Sequence, residues 1–190
     1  MFVFMKNMKI LLASVVLMAL TAVSVFAKNF EVIQPIIPDA QSAVVYFIGS
    51  KYGIIFDGTT PVGDFTKLKK NTNLAYKTTP GEHYFAYGAL MGVMSVIKAD
   101  LQANKRYYVK VDYVPVPYAP LYIMNILEPA EGAASLENKK LQTVQFLDEW
   151  RDAFSQKKLN ANLAKKAEEN TQEAKNGTRE VKLLSGANGH

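Results

Sequence analysis

From residue 42 to about residue 128, apolar and polar side chains alternate with a period of two, interrupted at short intervals by turn residues. That is the pattern of half-buried β-strands. SAVVYFIG (42–49) is apolar on both faces and reads as a central strand. YGIIFDG closes on Asp57-Gly58, PVGDFTKL follows, and residues 71–79 form an extended run up to Pro80-Gly81. Proline presets φ for the first central position of a type II turn and glycine accepts the positive φ of the second, so a new strand is expected to start near Glu82. In EHYFAYG, alternation places His83, Phe85 and Tyr87 on one side and Glu82, Tyr84 and Ala86 on the other. Gly88 and Gly92 bracket a turn or bulge through ALM, and VMSVIKAD continues as a strand to Asp100. RYYVKVDY puts Tyr107, Val109, Val111 and Tyr113 on one face, with Tyr108, Lys110 and Asp112 on a wet one; LYIMNILE supplies a last strand. The pattern predicts a mainly β protein, an antiparallel two-layer sandwich of about seven or eight strands with a C-terminal helical extension.

Beyond Pro129 the composition turns to Ala, Glu, Lys, Gln and Asn. Leu147, Trp150 and Phe154 fall at helical spacing, and the alternative there is a short strand at TVQFL followed by a helix at DEWRDAF. KKLNANLAKKAEENTQEAK carries only Leu159 and Leu163 as large apolar residues, so as a helix it is mostly solvated. Asn176-Gly177 ends it, and the rest is expected to fray. The expected organisation is a leader at 1–27, a β-sandwich domain at 28–130, a helical extension at 131–175 and a flexible tail at 176–190.

The leader rests on MFVFMKNMK, short and basic, then an apolar run, then VFA before Lys28. This reads as a signal peptide cleaved after Ala27, with a retained anchor as the competing reading. Export to the periplasm or beyond is expected either way, with no stable membrane span once the leader is removed. The chain has no cysteine, which excludes disulfides, thiol catalysis, thiolate metal sites and a lipid-modified cysteine. Net charge is +5, falling to +3 without Lys6 and Lys9. So small a surplus gives no ground for nucleic-acid binding.

Candidate chemistry is sparse. Apart from His190, His83 is the single histidine, and with Ser95 and Asp100 it could form a triad only if the fold brought them together, for no Gly-x-Ser-x-Gly elbow is present. The plainer reading is a half-buried strand histidine that covers apolar neighbours and bonds the backbone. One internal histidine cannot supply a zinc site, and no metal or cofactor is expected. Asp57 and Asp64 flank a turn and read as aspartates bonding their own backbone, although a pair of acids can also serve as acid and base or hold calcium. No glycine-rich phosphate loop is present. In VDYVPVPYAPLY (111–122), three prolines stiffen the chain and remove ladder donors, which suits an edge or connecting loop. Tyr113, Tyr118 and Tyr122 beside it are the candidate binding residues, since rings on a stiff loop lose little entropy on contact. Equally, the prolines could only guard a sheet edge. Trp150, Arg151 and Phe154 read as a stripe that docks a helix on the sheet, or as a partner-facing one.

The succession AVVYF, IIFDGTTPVGDF, TTPGEHYFAYG and VIKADLQANKRYYVKVDY resembles a bacterial family of exported proteins, often lipoproteins, catalogued as a domain of unknown function. It is more loosely similar to the PEGA type of surface module. The resemblance spans about residues 40–128 and implies an immunoglobulin-like or transthyretin-like sandwich. It implies no catalytic residue. The expected function is therefore that of a non-enzymatic binding or structural module of the cell envelope, its partner an unidentified protein or envelope component. The alternatives are a carrier of a small apolar ligand and, from a different class, an envelope hydrolase built on Glu82, His83 or the aspartates.

Overall fold

The computed structural model describes residues 30–33, 35–49, 52–68, 72–92, 94–137 and 142–190. The expected leader and its cleavage point lie outside the described residues. Two sheets face each other. The first has the order β1 (Phe30–Ile33), β10 (Gln142–Phe146), β5 (Thr72–Thr78), β2 (Ala43–Gly49), β8 (Arg106–Val114) and β9 (Leu121–Ile126). The second runs β11 (Lys182–Leu184), β7 (Ser95–Leu101), β6 (Gly81–Gly88), β3 (Ile54–Asp57) and β4 (Thr60–Asp64). Among the described residues three α-helices accompany the sheets: α1 (Pro129–Glu137), α2 (Asp148–Ser155) and α3 (Lys158–Lys175).

The mainly β, two-layer expectation holds, with three differences. Strands number eleven among the described residues, and the sheets are mixed: β2 runs parallel to β8, β10 to β5, and β11 to β7. Each parallel pair joins strands far apart in the chain, as parallel pairing requires a long connection rather than a hairpin. The line drawn at residue 130 does not divide the sheets, since β10 inserts between β1 and β5. The third difference is the tail. Residues 182–184 add a strand to β7, and His190 exchanges backbone bonds with Arg106 (2.8 and 3.2 Å) while its ring stacks on Tyr108 at 5.3 Å.

Alternation decides which side chains fill the space between the sheets. Val45, Phe47, Tyr107, Val109 and Val111 point inward from the first sheet and meet Phe85, Tyr87 and Ile97 from the second, all fully buried. Phe47 and Phe85 pack edge to face at 5.4 Å. Each such ring contributes roughly 1.5–3 kcal/mol by leaving water, and with no cysteine to cross-link the chain this burial is the main source of stability.

The outer faces are covered too, which accounts for the apolar character of β2 on both sides. Val44, Tyr46, Ile48 and Tyr108 form a second core under α1, where a Cβ on Gly132 would lie 2.0 Å from the Tyr108 ring. Tyr108, expected on a wet face, is buried by this helix. Trp150 and Phe154 of α2 pack on Phe146 of the first sheet and Phe56 of the second, and α3 crosses β6 and β7, burying Leu163, Ala167 and Ala174. The Trp150/Phe154 stripe is thus a docking face for the chain's own sheets.

Candidate functional site

The register brings three connections to one end of the sandwich. Gly49 pairs with Val111 in parallel strands, so the segment after β2 and the segment after β8 leave the same edge. Val114 pairs with Leu121, Ile54 with Gly88, and Tyr87 with Ser95, which brings residues 52–53, 89–92 and 115–120 side by side. Of the eleven large apolar side chains exposed among the described residues, seven lie here: Tyr52, Leu90, Met91, Val114, Val116, Tyr118 and Leu121. Scattered singly they would be ordinary surface; gathered at one end they form a patch of the kind that marks an interaction site.

A ladder of tyrosines supports the patch. Tyr52 packs on Tyr113 (4.9 Å), Tyr113 on Tyr122 (5.4 Å), and Tyr122 on Tyr87 (5.3 Å), whose hydroxyl donates to the Tyr52 carbonyl at 2.6 Å. Two glycines let the loops close over these rings. A Cβ on Gly53, at φ +94°, would sit 2.6 Å from Tyr87, and one on Gly92 would sit 2.3 Å from Tyr122. Loop 89–92 is held from the other side by α3, whose Lys166 ammonium donates to the carbonyls of Ala89 (3.4 Å), Leu90 (2.9 Å) and Gly92 (2.6 Å). In loop 115–120 the prolines fix φ at three of six positions. At its tip Tyr118 is fully exposed and takes φ +72°, a region that costs a non-glycine residue about 1–2 kcal/mol.

The three tyrosines singled out in the sequence therefore take different positions. Tyr118 is displayed, Tyr113 is half-buried between Tyr52 and Tyr122, and Tyr122 is 8% exposed and belongs to the same ladder. Leu90, Met91 and Tyr52 complete the patch. Sequence reasoning missed them because ALM read as a bulge between two strands and Tyr52 as a strand residue; the run of exposed apolar residues between two glycines was the available signal.

Around His83 the geometry differs from the expectation. Its ring stacks on Phe85, and Nε2 faces the Thr79 carbonyl at 2.9 Å, as an apolar-covering strand histidine should. Yet Nδ1 also meets the Asp57 carboxylate at 2.8 Å, and Tyr76 donates to the same carboxylate oxygen at 3.2 Å. Asp57 is thus no turn aspartate bonding its own backbone, whereas Asp64 is one, accepting from the Thr66 amide at 2.9 Å. With acceptors before both nitrogens, the imidazolium is the form that satisfies every contact, and the hydrogen bond to Asp57 raises the His83 pKa above its ordinary value against the opposing effect of burial. Burial, reinforced by Asp57, pushes the Tyr76 hydroxyl up to about 12.

The serine and the glutamate considered with this pair do not meet it. Ser95 lies opposite Tyr87, four residues along the strand from the partner of His83 and so about 13 Å away, and its hydroxyl accepts from the Met124 amide. Glu82 points to the other face, 2.7 Å from Lys98. Three clefts among the described residues, of 390, 330 and 450 Å³, are lined by neither His83 nor Asp57. Among the described residues no three His, Asp or Glu side chains are grouped as a metal site would need, and no helix is long and apolar enough to cross a membrane. The His83–Asp57 pair is a clasp between β6 and β3. Comparison of the chain with protein-family models, curated proteins and solved structures returns no match.

Proposed function

We propose that this protein is an exported, non-enzymatic binding module of the cell envelope, whose sandwich carries a contact surface made by loops 89–92 and 115–120. Loops held on a rigid scaffold are where recognition residues concentrate. The observation that carries the reading is the gathering of seven exposed apolar side chains at one end, with Tyr118 at the tip. The tyrosine ladder and Lys166 hold the loops in place before contact, which lowers the entropic cost of binding. Tyr118 makes contact, Tyr113 backs the exposed Tyr52, and Tyr122 is a positioning residue. The leader pattern and the resemblance to exported modules of immunoglobulin-like or transthyretin-like fold support the envelope setting. A carrier gains no support from sheets whose facing side chains fill the space between them.

The test is capture from envelope extract by the wild type, by M91S/Y118S and by L183S, the last removing an exposed apolar side chain from β11, outside the patch. Binding lost in the first variant and kept in the second, with equal melting temperatures, supports the reading. Equal capture by all three removes it.

A further inference from the structure

The 450 Å³ cleft lies where α2 and α3 meet the ends of β3 and β4. Ile54, Trp150, Phe154 and Leu163 give it an apolar wall, and Asp64, Asn160, Lys67 and Lys157 converge on it. A cavity of this size, apolar with a few placed polar groups, has the form of a small-molecule site. Asp64 is 5% exposed, yet its carboxylate is only half engaged. The Thr66 amide and hydroxyl both donate to Oδ1, and among the described residues nothing donates to Oδ2. A buried carboxylate oxygen is costly to leave without a donor, so the cleft presents an acceptor that calls for one. Asn160 adds a second, for its Nδ2 donates to the Phe154 carbonyl at 2.7 Å and Oδ1 is left to the cleft. Lys67 and Lys157 are exposed and pair with no carboxylate among the described residues. The helix α3 also starts here, with Lys157 as its N-cap and no side-chain capping bond, an arrangement that favours negative charge.

The chemistry of the lining selects its ligand. Two lysines against one carboxylate leave a surplus of one positive charge, so the donor suited to Asp64 is a neutral hydroxyl rather than an ammonium, and an acidic group on the ligand balances the lysines. The indole and phenyl rings of the wall suit the apolar face of a ring. We propose that this cleft binds a small acidic sugar, a single ring that carries hydroxyls and one carboxylate or phosphate. One hydroxyl donates to Asp64 Oδ2, another to Asn160 Oδ1, and the acid meets Lys67, Lys157 and the start of α3. The site goes beyond the loop-end reading, since none of its lining residues belongs to loops 89–92 or 115–120. Capture through Tyr118 and occupancy of this cleft therefore stand or fall separately.

Trp150 is the single tryptophan of the chain and lines the cleft, so the unlabelled full chain reports its own occupancy by fluorescence. Titration with glucuronate or glucose 6-phosphate should change the emission saturably, with a Kd of about 1 mM or tighter, and the tighter of the two identifies the acid group. Glucose, which lacks that group, should bind about tenfold more weakly. D64N keeps an oxygen for Thr66 but turns the free acceptor into a donor, and should weaken binding about tenfold or more. K67Q and K157Q, at exposed positions, should each weaken it about two- to fivefold, while K158Q, a neighbour that does not line the cleft, should leave it unchanged. Should D64N fail to fold, the two lysine variants decide the matter. No saturable change with either acid, equal binding of glucose, or equal losses in K157Q and K158Q overturns the inference.

Discussion

Replacing His83 tests the electrostatics of the fold in a way that few other changes can. Nδ1 lies 2.8 Å from the Asp57 carboxylate and Nε2 lies 2.9 Å from the Thr79 carbonyl, with the two side chains only 12% and 14% exposed. Both bonds can be made together only by the charged ring. Its pKa is raised in the folded chain, first by the hydrogen bond to Asp57, so the stability it contributes is complete below the unfolded value of about 6.5 and is lost as pH rises through the folded value. A hydrogen bond to a charged group contributes roughly 1.5–3 kcal/mol, and desolvation of the ring offsets part of it, which leaves about 1–2 kcal/mol for the pair. The assay is a double-mutant cycle of H83Q and D57N, read by urea unfolding on both sides of the titration. Coupling of about 1–2 kcal/mol at pH below the unfolded value, shrinking as pH rises, is the expected result. Coupling that is independent of pH, or that grows as pH rises, would refute the reasoning.

Further outcomes follow from packing. G132V drives a side chain into the Tyr108 ring and should cost about 1–3 kcal/mol as α1 is pushed from the first sheet, seen in the urea midpoint. W150A should cost about 3–5 kcal/mol, since its ring fills the contact between Phe146 and Phe154; a cost below about 1 kcal/mol would mean that α2 is not docked. Y118G relieves a positive φ, and the flexibility glycine adds to the unfolded chain offsets part of that gain, so stability should change by less than about 1 kcal/mol in either direction while partner capture falls. K166M removes three bonds to the 89–92 loop, and amide exchange at Leu90 and Met91 should quicken with the global melting temperature nearly unchanged.

The strands between residues 42 and 128 were legible because alternation and turn chemistry act locally, whereas β1 at Phe30–Ile33 was not read. Pro80-Gly81 placed the start of β6 one residue from where it falls, at Gly81, which itself takes φ +125°. What escaped were long-range pairings. Gln142–Phe146 has the composition of a short strand, but nothing in it says that it lies parallel to β5, and β11 holds only three residues in a stretch rich in loop formers. Tyr108 looked solvated because period two assigns a face without saying what covers it. The meeting of His83 with Asp57 was hidden for a related reason: Asp57 pairs with Phe85, two residues from His83 on the same face, and that register is settled only once β3 and β6 are neighbours. At the loop end, prolines and Tyr118 were visible in the sequence, whereas the approach of loop 89–92 depends on both sheets being assembled.

The proposed function requires the apolar loop end to be the surface that meets a partner in the cell. A photoreactive amino acid placed at position 118, and in a parallel strain at position 183, tests it most directly by covalent capture in living cells. Adducts at 118 with little or nothing at 183 are the predicted result. Adducts of equal yield and identity at both positions, or adducts only at 183, would contradict it.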